Sequence, residues 1–136
     1  MITRSIFLPR PPPAAFALFT ERASEWWPTD RRHTKDPKSI ITLASTGRFS
    51  ERSGDHEVQL GKVRVWDPPQ RLLLDWYPGT DVDHPTEVEI RFTAEGEGTR
   101  VTVEHRPLPV SAPLWKDRAP RYEKSWDSVF AALVDA

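Results

Sequence analysis

Between residue 40 and residue 106 apolar and polar side chains alternate with a period of two, and on either side of that stretch the period is helical. The alternation is sharpest in two segments. Val88, Ile90 and Phe92 fall on one side with Glu87, Glu89 and Arg91 on the other, and Val101, Val103 and His105 share a face opposite Arg100, Thr102, Glu104 and Arg106. Six strands are expected there, over 41–44, 47–52, 57–66, 71–77, 86–93 and 99–106. The connectors Ser53-Gly54-Asp55, Asp67-Pro68-Pro69, Pro78-Gly79 and Glu95-Gly96-Glu97-Gly98 carry turn residues. Short strands joined by short turns make an antiparallel meander, wet on one face and covered on the other. A further strand is expected over 3–8, ended by Pro9.

Proline is tolerated in the first turn of a helix, so Pro12 or Pro13 opens one that runs to Thr20, with Phe16 and Phe19 sharing its buried side. A second short helix, 21–27, stops at Pro28, and the charged stretch 29–39 reads as an exposed loop. After Pro120 the residues Tyr122, Trp126, Val129, Phe130, Leu133 and Val134 recur at helical spacing, while Glu123, Lys124, Asp127 and Ser128 point away. Pro107, Pro109 and Pro113 make the approach a loop, with Trp115 starting an early turn. The order of elements predicts an α+β fold, a curved antiparallel sheet wrapped around one long C-terminal helix, as a single domain over 1–136.

Composition narrows the function. The chain has 136 residues, no cysteine, and 19 Lys+Arg against 20 Asp+Glu for a net charge of −1. Without cysteine there is no disulfide framework, no thiolate nucleophile and no Cys-ligated metal. Balanced charge gives no reason to expect nucleic acid. No run approaches the ~18 apolar residues of a membrane span, and the start is too short an apolar run for a signal peptide, so a cytoplasmic location is expected. Six tryptophans are the other excess. They either fill a core or line a cavity.

Several words of the sequence, in order, carry a resemblance. They are Ala15-Phe16-Ala17-Leu18-Phe19-Thr20, then Trp26-Trp27-Pro28, Gly47-Arg48-Phe49-Ser50-Glu51-Arg52 and Gly61-Lys62-Val63-Arg64-Val65-Trp66-Asp67-Pro68-Pro69. Arg71-Leu72, Gly98 to His105 and Ser125-Trp126 complete the set. Together they resemble the START-like (SRPBCC) superfamily, in the branch related to the C-terminal domain of the 90-kDa heat-shock protein ATPase activators. The resemblance implies a helix-grip fold with a gap between sheet and last helix that holds an apolar ligand. Two departures stand out. Relatives commonly have Gly-Trp where this chain has Ser125-Trp126, and eukaryotic activators carry an extra N-terminal domain for which 136 residues leave no room.

The candidate walls of that gap are Trp26, Trp27, Phe49, Trp76, Phe92, His105, Trp126 and Phe130. Trp76 continues the apolar side Leu72, Leu74 of its strand, and Trp26 and Trp27 would close one end. His105 continues the inward series Val101, Val103, so its ring, with an unperturbed pKa of about 6.5, is placed for proton transfer or ligand orientation. The other reading of His105 is a core histidine held by hydrogen bonds. Glu51 is a candidate partner for it and shares a face with Phe49, so both must be inward or both outward. Arg48 and Arg52 lie opposite them, and Lys62 and Arg64 form a stripe with Leu60 and Trp66.

Other chemistry finds no support. Asp81-Val82-Asp83-His84 and His33 with Asp30 and Asp36 match no complete metal spacing, Gly96-Glu97-Gly98 is a hairpin turn, and no Gly-x-Ser-x-Gly elbow occurs. No metal or cofactor is expected. The function expected is binding of a hydrophobic or aromatic small molecule. The alternatives are a polyketide cyclase or aromatase-like enzyme, which needs a second ionisable group facing His105, and an interaction module with a homodimer or chaperone partner.

Overall fold

The computed structural model describes all of residues 1–136. Seven strands form one antiparallel sheet: β1 (Ile2–Leu8), β2 (Ile40–Leu43), β3 (Arg48–Ser53), β4 (His56–Asp67), β5 (Arg71–Trp76), β6 (Thr86–Glu95) and β7 (Gly98–Pro107). Their order across the sheet is β1-β7-β6-β5-β4-β3-β2, so the meander of β2 to β7 is closed at one edge by the N-terminal strand. Between β1 and β2 lie helices α1 (Pro12–Phe19) and α2 (Ala23–Trp26), and after β7 comes α3 (Ala112–Val134). This is the expected α+β helix-grip architecture, with the sheet curled into a half-barrel around α3.

The inner face is what the period-two pattern demanded. Leu72, Leu74, Val88, Ile90, Val101 and Val103 are fully buried in three adjacent strands. Burying one such side chain contributes roughly 1.5–3 kcal/mol, so this patch anchors the domain. The outer face is wet, but not uniformly. Glu89 is buried there beneath Arg71, Arg91 and Arg106, at 2.5, 3.1 and 3.1 Å. Three guanidinium groups offset the cost of burying its charge.

In β4 the expected stripe Leu60, Lys62, Arg64, Trp66 is broken. Register shifts occur opposite Phe49/Ser50 and again between Val63 and Val65. Each extra residue exchanges the inward and outward sides. Leu60 and Val63 are therefore buried, Lys62 and Arg64 remain exposed, and Trp66 returns to pack its edge on Phe16 at 5.2 Å.

The last helix begins eight residues before Pro120 instead of after it, so the approach expected as a loop is helical from Ala112, ahead of the early turn expected at Trp115. Pro113 sits in the first turn, where its missing N–H is no loss. Pro120 is interior and removes the bond to Lys116, but both residues are exposed, so water can reach the freed carbonyl. Tyr122, Trp126, Val129, Phe130 and Leu133 form the buried stripe as expected, whereas Val134 is exposed. The stretch 29–39 is also not simply exposed, because Arg32 and Ser39 are buried.

Gly61 sets the middle of the inner face. It pairs with Phe49 on one side and Trp76 on the other, and a Cβ there would lie 2.0 Å from the Asp75 carbonyl oxygen. Strands two apart are separated by roughly 9–10 Å, yet the Phe49 and Trp76 rings lean over the empty position to within 5.0 Å. Gly61→Ala should thus cost about 3 kcal/mol or more in chemical denaturation, because backbone must move. Gly54→Ala, at a turn with φ +58 and open space around it, should cost about 1 kcal/mol. Equal losses would contradict the close packing at Gly61.

Candidate ligand cavity

Between α3 and strands β3, β4 and β5 the half-barrel is not filled. A cavity of about 350 Å³ remains, and its apolar and aromatic lining is Trp27, Phe49, Leu60, Trp76, Tyr122, Trp126 and Val129. Those side chains come from four elements and the residue that follows α2, so no single segment makes the site. The rings form a continuous aromatic wall. Trp76 lies 5.0 Å from Phe49, 5.1 Å from Trp126 and 6.4 Å from Trp27, with tilts of 35–38° between the planes.

Of the eight expected wall residues, the cavity brings together four: Trp27, Phe49, Trp76 and Trp126. Trp26 lies behind Trp27, its indole N–H donating to the Leu18 carbonyl at 2.8 Å. Phe92 packs on Phe16 and Phe19 at the α1 end of the core, and Phe130 packs behind Trp126. His105 is fully buried and does not line the cavity.

His105 is a core histidine held on both ring nitrogens. Trp126 Nε1–H donates to its Nδ1 at 3.0 Å, so Nδ1 must be unprotonated. Nε2 then carries the proton and donates to Thr86 Oγ1 at 2.8 Å, and the Thr86 hydroxyl donates to the Trp76 carbonyl at 3.1 Å. The chain ties α3 to β7, β6 and β5. Burial, with the N-terminal ammonium adding repulsion, pushes the His105 pKa from 6.5 down to about 3. A ring held neutral at every ordinary pH orients Trp126; it does not shuttle protons to the cavity.

Glu51 and Phe49 do face inward together, but Glu51 is not the partner of His105. Its carboxylate accepts the His33 and Thr34 backbone N–H groups at 2.8 and 2.9 Å, and the Thr34 hydroxyl as well. Despite burial, these bonds hold its pKa below the usual carboxylate value. Arg32 does the complementary work, donating to the carbonyls of Trp27, Ser39 and Ser24 at 3.1, 2.7 and 2.7 Å. The loop 29–39 is thereby pinned from inside by one cation and one anion. It supplies Asp30, Arg31, His33 and Lys35 to the cavity mouth, while α3 supplies Arg121, Lys124 and Ser125. Lys124 was expected to point away from the site. It is exposed and nevertheless lines the opening, whereas Arg121 and Ser125 flank the buried stripe directly, each one residue before Tyr122 or Trp126.

The far side of the mouth is Pro78-Gly79. The Tyr122 hydroxyl donates to the Pro78 carbonyl at 2.8 Å and Arg118 Nε to that of Gly79 at 2.6 Å. Gly79, at φ +83, lies directly under the Tyr122 ring, where a Cβ would come within 2.6 Å of the hydroxyl oxygen. No group of three or more His, Asp or Glu side chains is placed to hold a metal ion. No helix is long and apolar enough to cross a membrane.

Comparison with known proteins follows the same lines. Residues 9–136 match the family described as activator of Hsp90 ATPase homolog 1-like protein. No curated protein matches the sequence. Among solved structures, the chain is similar to CalC from Micromonospora echinospora, a self-sacrificing resistance protein. The identity is 26% and the TM-score 0.75, covering 98% of this chain and 91% of that one. It is similar to Txn09, an anthrahydroquino-gamma-pyrone synthase, at 26% identity and a TM-score of 0.58, covering 98% and 86%. It shares its fold with the Aha1 dimer from Colwellia psychrerythraea at 15% identity and a TM-score of 0.68, covering 99% and 93%.

The tautomer of His105 generates a pH prediction. Its folded pKa is depressed, so the unfolded chain takes up a proton below about 6.5 that the folded chain refuses. Stability should fall by about 1.4 kcal/mol per pH unit from pH 6.5 downward, before the carboxylates protonate. In His105→Gln the amide oxygen can accept from Trp126 and the amide nitrogen can donate to Thr86. Denaturant unfolding of this variant should show that slope largely gone between pH 6.5 and 4.5. An unchanged slope would mean that another group carries it.

Proposed function

The chain belongs to the activator of Hsp90 ATPase homolog 1-like family, and from that premise we propose that it is a small-molecule binding protein that encloses an aromatic ligand between sheet and last helix. The observation that carries this is the unfilled space itself. Ligand cavities are about 300–1,000 Å³, mostly apolar, with a few polar groups converging on them. Here about 350 Å³ is walled by three indoles and a phenyl ring, with the buried Glu51 among the lining residues and the other charged side chains gathered mainly at the mouth. Flat rings in tilted contact leave a slot suited to another flat ring. The CalC and Txn09 likenesses support the reading, since Txn09 is described as a synthase of a fused aromatic product and CalC as a resistance protein.

The cyclase alternative has a weaker basis. It required an ionisable group facing His105 across the cavity, and the rings around His105 are Trp76, Trp115, Tyr122 and Trp126. Of these only Tyr122 ionises, and its hydroxyl already donates to Pro78. Burial raises its pKa further above 10. The co-chaperone alternative rests on the family's description and on the Aha1 likeness, and the latter, at 15% identity, speaks for the fold alone.

Titration with polycyclic aromatics tests the proposal, because three of the six tryptophans line the site. A binding ligand should quench intrinsic fluorescence saturably. At 100 times its dissociation constant it should add about 2.7 kcal/mol of stability, a rise of several degrees in Tm. Leu60→Trp, which would fill the cavity, should weaken binding about tenfold or more with an unchanged far-ultraviolet spectrum. No saturable change across neutral, acidic and basic aromatics would overturn the reading.

A further inference from the structure

The charged side chains that line the cavity carry an excess of cations, with Arg31, Arg32, Lys35, Arg121 and Lys124 against Asp30 and Glu51. Arg31 and Lys35 approach the opening from the loop 29–39, and Arg121 and Lys124 from α3. Two carboxylates also line it and offset only part of this positive charge. Both Glu51 oxygens accept hydrogen bonds from residues 33 and 34, and Asp30 reaches only Arg31, at 3.9 Å. Lys35, Arg121 and Lys124 form no ion pair at all.

On the outer face of the sheet most arginines are paired, whereas Arg52 and Lys62 are not. Arg64, Arg71, Arg91 and Arg106 are each paired with Glu or Asp on the same or neighbouring strands. A chain of net charge −1 has thus left unpaired cations gathered where an aromatic slot opens to water. Like charges so gathered repel one another, and an anion at the mouth relieves that repulsion.

The rim is also held in place before any ligand arrives. Arg32 and Glu51 fix the loop from below, and Lys35 Nζ donates to the Asp30 carbonyl at 2.5 Å. Lys35 adopts φ 61, a left-handed conformation that costs a side-chain-bearing residue energy and that the pinned loop maintains. Arg121 and Lys124 stand on the same helix as Trp126, three turns of which also carry Tyr122 and Val129.

We propose that the cavity selects aromatic ligands that carry an anionic group, such as a carboxylate, sulfonate or ionised phenol. The ring system lies against Trp27, Trp76 and Trp126, and the anion sits at the mouth among Arg31, Lys35, Arg121 and Lys124. This rests on the aromatic-ligand reading above and adds the charge of the ligand to it.

A matched pair of fluorescent probes separates the two claims. Anilinonaphthalene sulfonate and phenylnaphthylamine share their ring system, and only the first is charged. Both should bind and quench tryptophan. Between 0.01 M and 1 M salt, where the screening length shrinks from about 30 Å to about 3 Å, the affinity ratio of sulfonate to neutral probe should fall about fivefold or more. In the double variant Arg121→Gln/Lys124→Gln, at low salt, the ratio should fall by a similar factor. Both positions are exposed, and an unchanged far-ultraviolet spectrum confirms the fold. If both probes bind with a ratio indifferent to salt and to the double variant, the charge proposal is wrong while the cavity reading stands. If neither binds, the cavity reading fails and takes the proposal with it.

Discussion

One polar chain inside an otherwise apolar core decides where the last helix rests. Trp126 donates to His105, His105 to Thr86, and Thr86 to the backbone of Trp76. Every donor has one acceptor, and the direction is forced, because an indole N–H can only donate. Apolar contacts alone would let α3 slide or roll on the sheet, since hydrophobic burial has no direction. A hydrogen-bonded chain through three strands admits one position. It also fixes the indole of Trp126 and anchors the backbone that carries Trp76, two walls of the cavity. No buried side-chain polar atom is left without a partner, so this specificity carries no unsatisfied group.

The cavity follows from that placement and from Gly61. With α3 held at two neighbouring residues, Trp126 on His105 and Asp127 on Arg4 of β1 at 2.7 Å, the sheet does not close onto it everywhere. Phe49 and Trp76 meet over the glycine and present flat faces to the space that remains. The loop 29–39 completes the enclosure, held by an arginine that bonds carbonyls and a glutamate that bonds N–H groups. Each ion satisfies the backbone of an irregular segment that has no strand or helix partner. The rim is therefore as fixed as the floor, which suits a site that binds by preorganisation.

The architecture was legible in the chain because period-two alternation over β5 to β7 and helical spacing from Tyr122 to Leu133 are both long and unambiguous. The inward direction of Trp76 followed from Leu72 and Leu74. Three kinds of feature were hidden. Bulges in β4 exchange faces without any mark in the apolar pattern, although Gly61 in mid-strand is the signal that a close approach occurs there. Pro120 read as a helix start because its cost is usually decisive; here the burial of a long stripe beyond it outweighs one lost bond. The cavity mouth was missed because its cations lie in a charged loop and on a helix flank. Their convergence is a property of the tertiary fold, as is the commitment of Glu51 to the loop 29–39, whereas a core histidine held by hydrogen bonds was one of the two readings open for His105.

The central claim is that an aromatic ligand enters between α3 and the sheet, and the six indole N–H signals in a nitrogen–proton correlation spectrum report it residue by residue. On addition of a saturating polycyclic aromatic acid, the account predicts large shifts for Trp27, Trp76 and Trp126. It predicts small ones for Trp66, which packs against α1, and for Trp115, which packs on the far side of His105. Shifts confined to Trp66 or Trp115, or a spectrum that does not change, would contradict it.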